Sequence, residues 1–203
     1  TQQTTTIVDN DHLSVEFANG TQSVAENALT TTVVVRLSAV AGSTVTIPLT
    51  IAGGSATSGS DYNLSSTQLT INAGASTAAV TICLLNDSRD EVDETLVIDL
   101  GPPTGASLGA VTRSTLTIVD DDAPPTVQFA LATQSVGEAA GSVVLVATLD
   151  APSGKTISVG LNASGSATTP SDFTLGGASF VFAPGQTSAS QTVAIVDDTN
   201  SEG

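Results

Sequence analysis

Acidic side chains are the chemically active residues that this chain has in quantity. Its 203 residues include twenty Asp and Glu but only four Lys and Arg, one His and one Cys, so the formal net charge is −16. Catalysis by Cys and His, and zinc sites built from them, therefore have almost no residues to use. Carboxylates without His or Cys suit a hard cation such as calcium, which takes roughly six to eight oxygen ligands.

Most of these acidic residues recur when the chain is compared with itself. The segment 15–27 returns at 127–139 and the segment 54–62 at 165–173, so the repeat is about 111 residues long. A third match joins 6–11 to 117–122. Fifteen of the twenty acids fall at matched positions, all in loops or at strand ends: Glu26, Asp61, Asp87, Glu91, Glu94 and Asp120 to Asp122 in the complete copy, Glu138, Asp172, Asp197, Asp198 and Glu202 in the later copy, and Asp9 and Asp11 at the start.

The repeat predicts the domain organisation. Residues 1–11 match the last strand of a preceding repeat, 12–122 form a complete domain, and 123–203 form a second domain truncated before its last two strands. The link 123–126 reads APPT, and its two prolines favour a stiff, extended connection between the domains.

Hydrophobic residues alternate with polar ones along nearly every apolar segment, which predicts β-strands. In 44–51, for example, Val45, Ile47, Leu49 and Ile51 share one face, and Pro48 predicts an edge strand because proline lacks a backbone N–H. About seven such strands per repeat predict an all-β fold of tandem immunoglobulin-like antiparallel β-sandwiches. The aromatic residues sit at positions that are apolar in both copies, so all are predicted to lie in the cores.

Loops of a β-sandwich gather at its two ends, so acids far apart in sequence can converge. Converging carboxylates repel one another, by about 1 kcal/mol per pair at ~4 Å even in water. A bound divalent cation offsets this repulsion. The sequence therefore predicts a calcium site, with room for more than one ion in the complete repeat.

The chain resembles the Calx-β domain family, first described in sodium–calcium exchangers. The resemblance rests on Glu26, Asp61–Tyr62, NDSRDEVDET at 86–95 and LTIVDDD at 116–122. It implies a calcium-binding sandwich whose ligands are the acids of the complete repeat, joined by Asn86 and by the backbone carbonyl near Arg89. Asn86 stands where the family usually has an acid, which keeps an oxygen but removes a charge.

Other functions fit the sequence less well. The motif GASLG at 105–109 has the spacing of a hydrolase nucleophile but lacks the strand–turn–helix context, and His12 would be its only base, so we expect no enzyme. Four basic residues cannot form a nucleic-acid-binding face. No apolar run approaches the roughly 20 residues of a membrane span, so we expect no membrane insertion.

The expected function is that of a calcium-binding structural module in a larger repetitive protein, extracellular or at the cell surface, with calcium stiffening the junctions between neighbouring repeats. Two alternatives stay open. The chain could be an adhesin or filament module that assembles with other copies of itself through exposed β-edges. It could also be a calcium-sensing regulatory domain, which would require affinity near the micromolar range.

Overall fold

A computed structural model describes residues 2–6 and 12–199, which form two all-β units. The first comprises the described residues up to Asp87 together with Asp93–Asp121, and the second comprises Ser88–Val92 and the described residues from Asp122 onwards. Residues 2–6 belong to no strand, and the rest of the strand predicted over 1–11 lies outside the described residues.

The first unit is a sandwich of two five-stranded sheets. Its strands are β1 Ser14–Phe17, β2 Thr21–Ala25, β3 Thr30–Leu37, β4 Val45–Gly54, β5 Tyr62–Leu64, β6 Gln68–Ile71, β7 Thr77–Leu84, β8 Glu94–Leu100, β9 Ser107–Leu108 and β10 Arg113–Val119. One sheet has the order β5-β7-β3-β1-β9 and the other the order β2-β10-β8-β4-β6. The prediction of an immunoglobulin-like β-sandwich is confirmed.

The alternating sequence pattern produces the core of the first unit. In β3, Val33, Val35 and Leu37 are buried, whereas Arg36 between them is exposed. The same alternation in the other long strands places their branched side chains between the two sheets, where they form one continuous hydrophobic cluster. The aromatic residues Phe17 and Tyr62 belong to this cluster, as predicted.

The prediction that Pro48 marks an edge strand is wrong. Strand β4 lies inside its sheet, where it pairs with β6 through residues 45–48 and with β8 from Leu49 onwards. Pro48 sits where β4 passes from one partner to the other, and its carbonyl oxygen accepts a hydrogen bond from Gly101 N–H. The absent N–H of Pro48 therefore falls at a change of partner rather than at a sheet edge.

The second unit repeats part of this plan. Its strands are β11 Val127–Phe129, β12 Ser142–Leu149, β13 Ile157–Gly160, β14 Phe173–Leu175, β15 Ser179–Phe182 and β16 Ser188–Ile195. They form a four-stranded sheet of order β11-β12-β16-β14 and a two-stranded sheet of β13 and β15. The described part of this unit holds no counterpart of β8 or β10, and β13 ends before the stretch in which β4 pairs with β8.

The aromatic residues of the second unit follow the core prediction only in part. Phe180 and Phe182 are buried and Phe173 is half-buried, but Phe129 is 52% exposed. Its repeat counterpart, Phe17, is fully buried in a core that includes Leu96 and Leu116 from β8 and β10. Since the described second unit has no counterparts of these two strands, Phe129 lacks the cover that the repeat gives to Phe17. The prediction that all the aromatic residues are buried is therefore wrong for Phe129.

Candidate metal centre

The parallel pairing of β2 with β10 creates the centre of the predicted site. Ala25 at the end of β2 is paired with Val119 at the end of β10. Because parallel strands run in the same direction, the residues that follow each strand emerge together. Glu26 therefore emerges beside Asp120. A single 3₁₀ turn, Glu26–Ala28, begins at Glu26 and stops the chain from running on as a strand.

Three carboxylates meet at this point. Oxygen atoms of Glu26, Asp120 and Asp122 lie within 4.8 Å of one another, and all three residues are partly buried. Two oxygens on one calcium ion, each roughly 2.3–2.6 Å from it, are at most about 5 Å apart, so these three can share one ion. Asp120 Oδ1 and Asp122 Oδ2 are also shielded from solvent, so water screens the repulsion between these carboxylates only weakly. The donor set therefore fits calcium.

Two further acids surround this cluster. The backbone N–H of Asp87 donates to Glu26 Oε1 at 3.1 Å, so the loop after β7 lies against the 3₁₀ turn. The backbone N–H of Asp120 donates to Asp93 Oδ1 at 3.3 Å. Asp93 was missed by the sequence analysis, which took Glu91 and Glu94 as the ligands in this stretch. The only sequence signal for Asp93 is that it is an acid lying between them.

The middle acid of the triplet is held differently from its neighbours. Asp121 accepts hydrogen bonds at Oδ1 from the backbone N–H of Asn27, at 3.3 Å, and at Oδ2 from the Asn27 side-chain amide. Asp120 and Asp122 contribute oxygens to the three-residue cluster with Glu26, whereas Asp121 is bound by Asn27. Asn27 is a second residue that the sequence analysis missed.

The remaining predicted ligands of the first unit lie around the same loops. The Asp61 carboxylate accepts a hydrogen bond from the Thr57 backbone N–H, and its carbonyl oxygen accepts one from Leu85 N–H at 3.0 Å. This second bond brings Asp61 next to the loop that carries Asn86 and Asp87. Asn86 donates from its side-chain amide to the Asp87 carbonyl oxygen at 2.9 Å. Glu94 opens β8 and is paired with Ile118 of β10.

The second unit places the counterpart residues in the same local frame. Glu138 begins a 3₁₀ turn, Glu138–Ala140, as Glu26 does. The carboxylate of Asp172 accepts a hydrogen bond from Thr168 N–H, and its carbonyl oxygen accepts one from Val196 N–H at 2.9 Å. Asp197 and Asp198 follow β16 after one intervening residue, Val196. Glu202 lies outside the described residues.

Two predicted site residues, Arg89 and Glu91, lie in the segment Ser88–Val92 of the second unit. They form an ion pair, with Arg89 Nη1 at 3.3 Å from Glu91 Oε1. Between them Asp90 is only 4% exposed and contacts Lys155 Nζ and Ser153 Oγ, the hydroxyl at 2.8 Å. Donation from Lys155 lowers the pKa of Asp90 below its usual value, in spite of the opposing effect of burial, and the Ser153 hydroxyl adds to this lowering. The sequence analysis did not single out Asp90.

The possible hydrolase motif forms part of a strand and not a strand–turn–helix elbow. Ser107 opens the short strand β9, which runs parallel to β1, and its hydroxyl donates to the Leu13 carbonyl oxygen at 3.2 Å. This hydrogen bond gives Ser107 a structural role at the edge of the sheet. None of the helical turns within 2–6 and 12–199 has the length and apolar character needed to cross a membrane.

These features define a class of protein, namely a tandem all-β chain in which the residues that follow β2 and β10 bring three carboxylates within the reach of one cation. Comparison with sequence families gives the same result. The Calx-beta domain profile matches residues 9–122 and again residues 120–203. The chain therefore belongs to the Calx-beta domain family.

Solved structures share the fold. The apo-form Calx CBD1 domain is 25% identical, with a TM-score of 0.51, and the match covers 55% of this chain and 100% of that domain. The CBD12 structure from CALX1.2 is 22% identical over 92% of this chain and 76% of its own length, with a TM-score of 0.51. The structure described as calcium binding domain CBD12 of CALX1.1 is 22% identical over 91% of this chain and 76% of its own length, again with a TM-score of 0.51. Among curated proteins, none matches at a significant level.

Proposed function

We propose that this chain is a calcium-binding structural module of a larger repetitive protein. The observation that carries the proposal is the group of oxygens from Glu26, Asp120 and Asp122, all within 4.8 Å of one another. Like charges this close destabilise the calcium-free protein, and calcium converts their repulsion into attraction. Membership of the Calx-beta family and the likeness to a structure described as a calcium binding domain support the same choice of ion.

Calcium titration of the purified chain tests the proposal directly. Isothermal titration calorimetry should show a heat of calcium binding. The melting temperature should rise with calcium concentration because the ion binds the folded state alone. Asp120→Asn should remove most of this rise, whereas Glu16→Gln, an acid-to-amide change in β1 outside the cluster, should retain it. An unchanged melting temperature in calcium and in chelator, with no heat of binding, would refute calcium binding.

We propose further that calcium stiffens the junction between repeats. Asp120 to Asp122 run directly into the short link APPT at 123–126, so an ion held by the triplet restrains the residues at the start of that link. Small-angle scattering with calcium and with chelator tests this idea. We expect a narrower distribution of particle dimensions with calcium, and identical profiles would contradict the proposal even if calcium binds.

The affinity distinguishes the proposed extracellular or surface location from a sensing role. Extracellular modules bind calcium with dissociation constants of roughly 10⁻⁴–10⁻³ M, whereas sensors bind at roughly 10⁻⁷–10⁻⁵ M. The charge of the site favours the weaker binding of the extracellular modules, because Asn86 replaces an acid of the family pattern and so lowers the attraction of the site for calcium. A dissociation constant near the micromolar range would favour the calcium-sensing alternative.

A second candidate function is assembly with other copies of the chain, as in an adhesin or filament. The exposed Phe129 and an apolar hollow of about 120 Å³, lined in part by Val127, Val159 and Phe180, favour it. A β-strand from another copy could cover this surface. The segment 4–11 is a candidate for that strand, because its sequence matches the end of β10 and the triplet after it, and β10 contributes to the core around Phe17. Sedimentation should then show association that Phe129→Ser weakens. A monomer at all concentrations would exclude this function.

A further inference from the structure

Asn27 and Asp121 form a two-point contact at the edge of the acidic cluster. The backbone N–H and the side-chain amide of Asn27 donate to the two different oxygens of the Asp121 carboxylate. The contact joins residues 94 positions apart, so it links the turn after β2 to the acidic triplet after β10. It thus connects the segments that bring Glu26 and Asp120 into the same cluster.

The parallel strand register explains why these two residues meet. Ala25 is paired with Val119, so the first residues beyond each strand are Glu26 and Asp120, and the second are Asn27 and Asp121. The first pair belongs to the acidic cluster and the second pair forms the two-point contact. Holding Asp121 on Asn27 fixes the triplet at its centre, with Asp120 and Asp122 turned towards Glu26.

The 3₁₀ turn does not need the Asn27 side chain. The second unit has the same turn with Ala139 at the position of Asn27, since VAEN at 24–27 corresponds to VGEA at 136–139. Each turn is closed by a backbone hydrogen bond, from Leu29 N–H to the Glu26 carbonyl oxygen and from Gly141 N–H to the Glu138 carbonyl oxygen. The Asn27 amide is therefore an addition of the complete repeat, and its partner is a residue of the acidic triplet.

We propose that Asn27 is a positioning residue for calcium, acting through Asp121. The proposal rests on the proposed calcium-binding function. If the acidic triplet were not held in place before calcium binds, ordering it and bringing its charges together would reduce the calcium affinity. Hydrogen-bond donors that hold the triplet in its binding conformation remove part of this cost. Asn27 supplies two such donors without adding charge. Asp121 in turn aligns Asp120 and Asp122 as ligands.

Calcium affinity in Asn27→Ala tests the proposal on the whole chain. We expect the dissociation constant to rise about tenfold, as for other residues that orient metal ligands. Asn72→Ala, in the loop after β6, is the matched control and should bind calcium as the parent does. An Asn27→Ala dissociation constant within twofold of the parent value would overturn the proposal. Failure of the parent chain to bind calcium would instead refute the proposed function.

A double-mutant cycle separates positioning from a general effect on the fold. If Asn27 acts through Asp121, then adding Asn27→Ala to Asp121→Asn should weaken calcium binding by less than twofold beyond the effect of Asp121→Asn alone. A further tenfold loss of calcium affinity in the Asp121→Asn background would show that Asn27 does not act through Asp121.

NMR spectra in chelator test the contact itself without any ion. The side-chain amide resonances of Asn27 should shift in Asp121→Asn, and unchanged resonances would contradict the Asn27–Asp121 contact.

Discussion

Phe17 and Phe129 occupy the same position of the repeat, yet Phe17 is fully buried and Phe129 is 52% exposed. The sequence makes the two residues equivalent, and the difference arises from what covers them. Phe17 shares its core with side chains of β8 and β10. Phe129 packs edge to face against Phe180 with ring centres 5.9 Å apart, and this ring contact leaves half of its surface open.

We therefore expect the two phenylalanines to respond differently to truncation. Phe17→Ala should destabilise the first unit by about 3–5 kcal/mol, because it leaves a cavity in a closed core. Phe129→Ala should cost the second unit only about 1 kcal/mol, mainly through the lost ring contact. Denaturation followed by NMR signals from each unit measures the two effects separately. Equal losses would show that Phe129 is covered in solution.

Removing one acid from the cluster should have opposite effects with and without calcium. In Glu26→Gln, the calcium-free protein should melt at the same temperature as the parent or higher, because one repulsive charge is gone. In calcium the same variant should melt lower than the parent, because the ion has lost a ligand. The measurement is thermal unfolding in chelator and in calcium.

The control for this prediction is Glu16→Gln. Glu16 pairs with Arg36 at 2.8 Å on the surface of β1 and β3, so its loss should lower both melting temperatures by the same small amount. If Glu26→Gln lowers the melting temperature equally in chelator and in calcium, then Glu26 does not belong to a cation site whose carboxylates repel one another when the ion is absent.

The buried Asp90 should make the second unit sensitive to acid. Its pKa is lowered in the folded state chiefly by the Lys155 side chain, so the ionised form stabilises folding at neutral pH. This stabilisation should disappear as the pH falls below the ordinary Asp range through the lowered pKa. Unfolding of the second unit measured between neutral and strongly acidic pH checks the direction. Stability that rises on acidification would contradict it.

Changing Lys155 tests the same interaction. Lys155→Met should destabilise the second unit by about 2 kcal/mol at neutral pH, because it leaves an ionised Asp90 in a buried place without its cation. The partial exposure of Lys155 limits the effect, since solvent screens the pair. The loss should shrink at acidic pH, where Asp90 becomes protonated. A loss that is independent of pH would assign the effect to packing of the lysine stem.

Leu29 gives a prediction about backbone strain. It has φ = 64°, a conformation that costs a non-glycine residue about 1–2 kcal/mol, and its side chain is 61% exposed. The second unit has Gly141 at this position with φ = 70°. Leu29→Gly should therefore stabilise the first unit by up to about 1 kcal/mol after the entropy of glycine is allowed for. Ala28→Gly is the control and should destabilise, so a loss in both variants would refute the prediction.

Much of the fold could be predicted because the strands depend on patterns between residues that are close in the sequence. Alternation with period two predicts the strands, and the repeat aligns them between the two units. The buried face of β3 follows directly from this alternation, and so does that of β4 as far as Leu49. Ile51, predicted on the same face of β4, is 41% exposed because the register of β4 shifts after it. The edge-strand prediction for Pro48 is wrong because the change of partner strand along β4 is a long-range property of the sheet. The core prediction for Phe129 is wrong for a related reason, since its burial depends on strands distant in the sequence.

The candidate site could be predicted only in part. Acids at repeated loop positions pointed to Glu26, Asp120 and Asp122. Asn27 and Asp93 were missed because their partners are 94 and 27 residues away and their residue types are ordinary for loops. The one available signal for Asn27 was the difference between VAEN and VGEA, a position where the repeats do not agree.

The parallel register of β2 with β10 also sets the time at which the site can exist during synthesis. β2 leaves the ribosome early, but Val119, the partner of Ala25, is made 94 residues later. Until then the newly made domain has an open sheet edge beside Glu26 and no acidic triplet to place there. Calcium therefore cannot template the early steps of folding, and its binding energy favours only a chain whose last strand has closed the sheet.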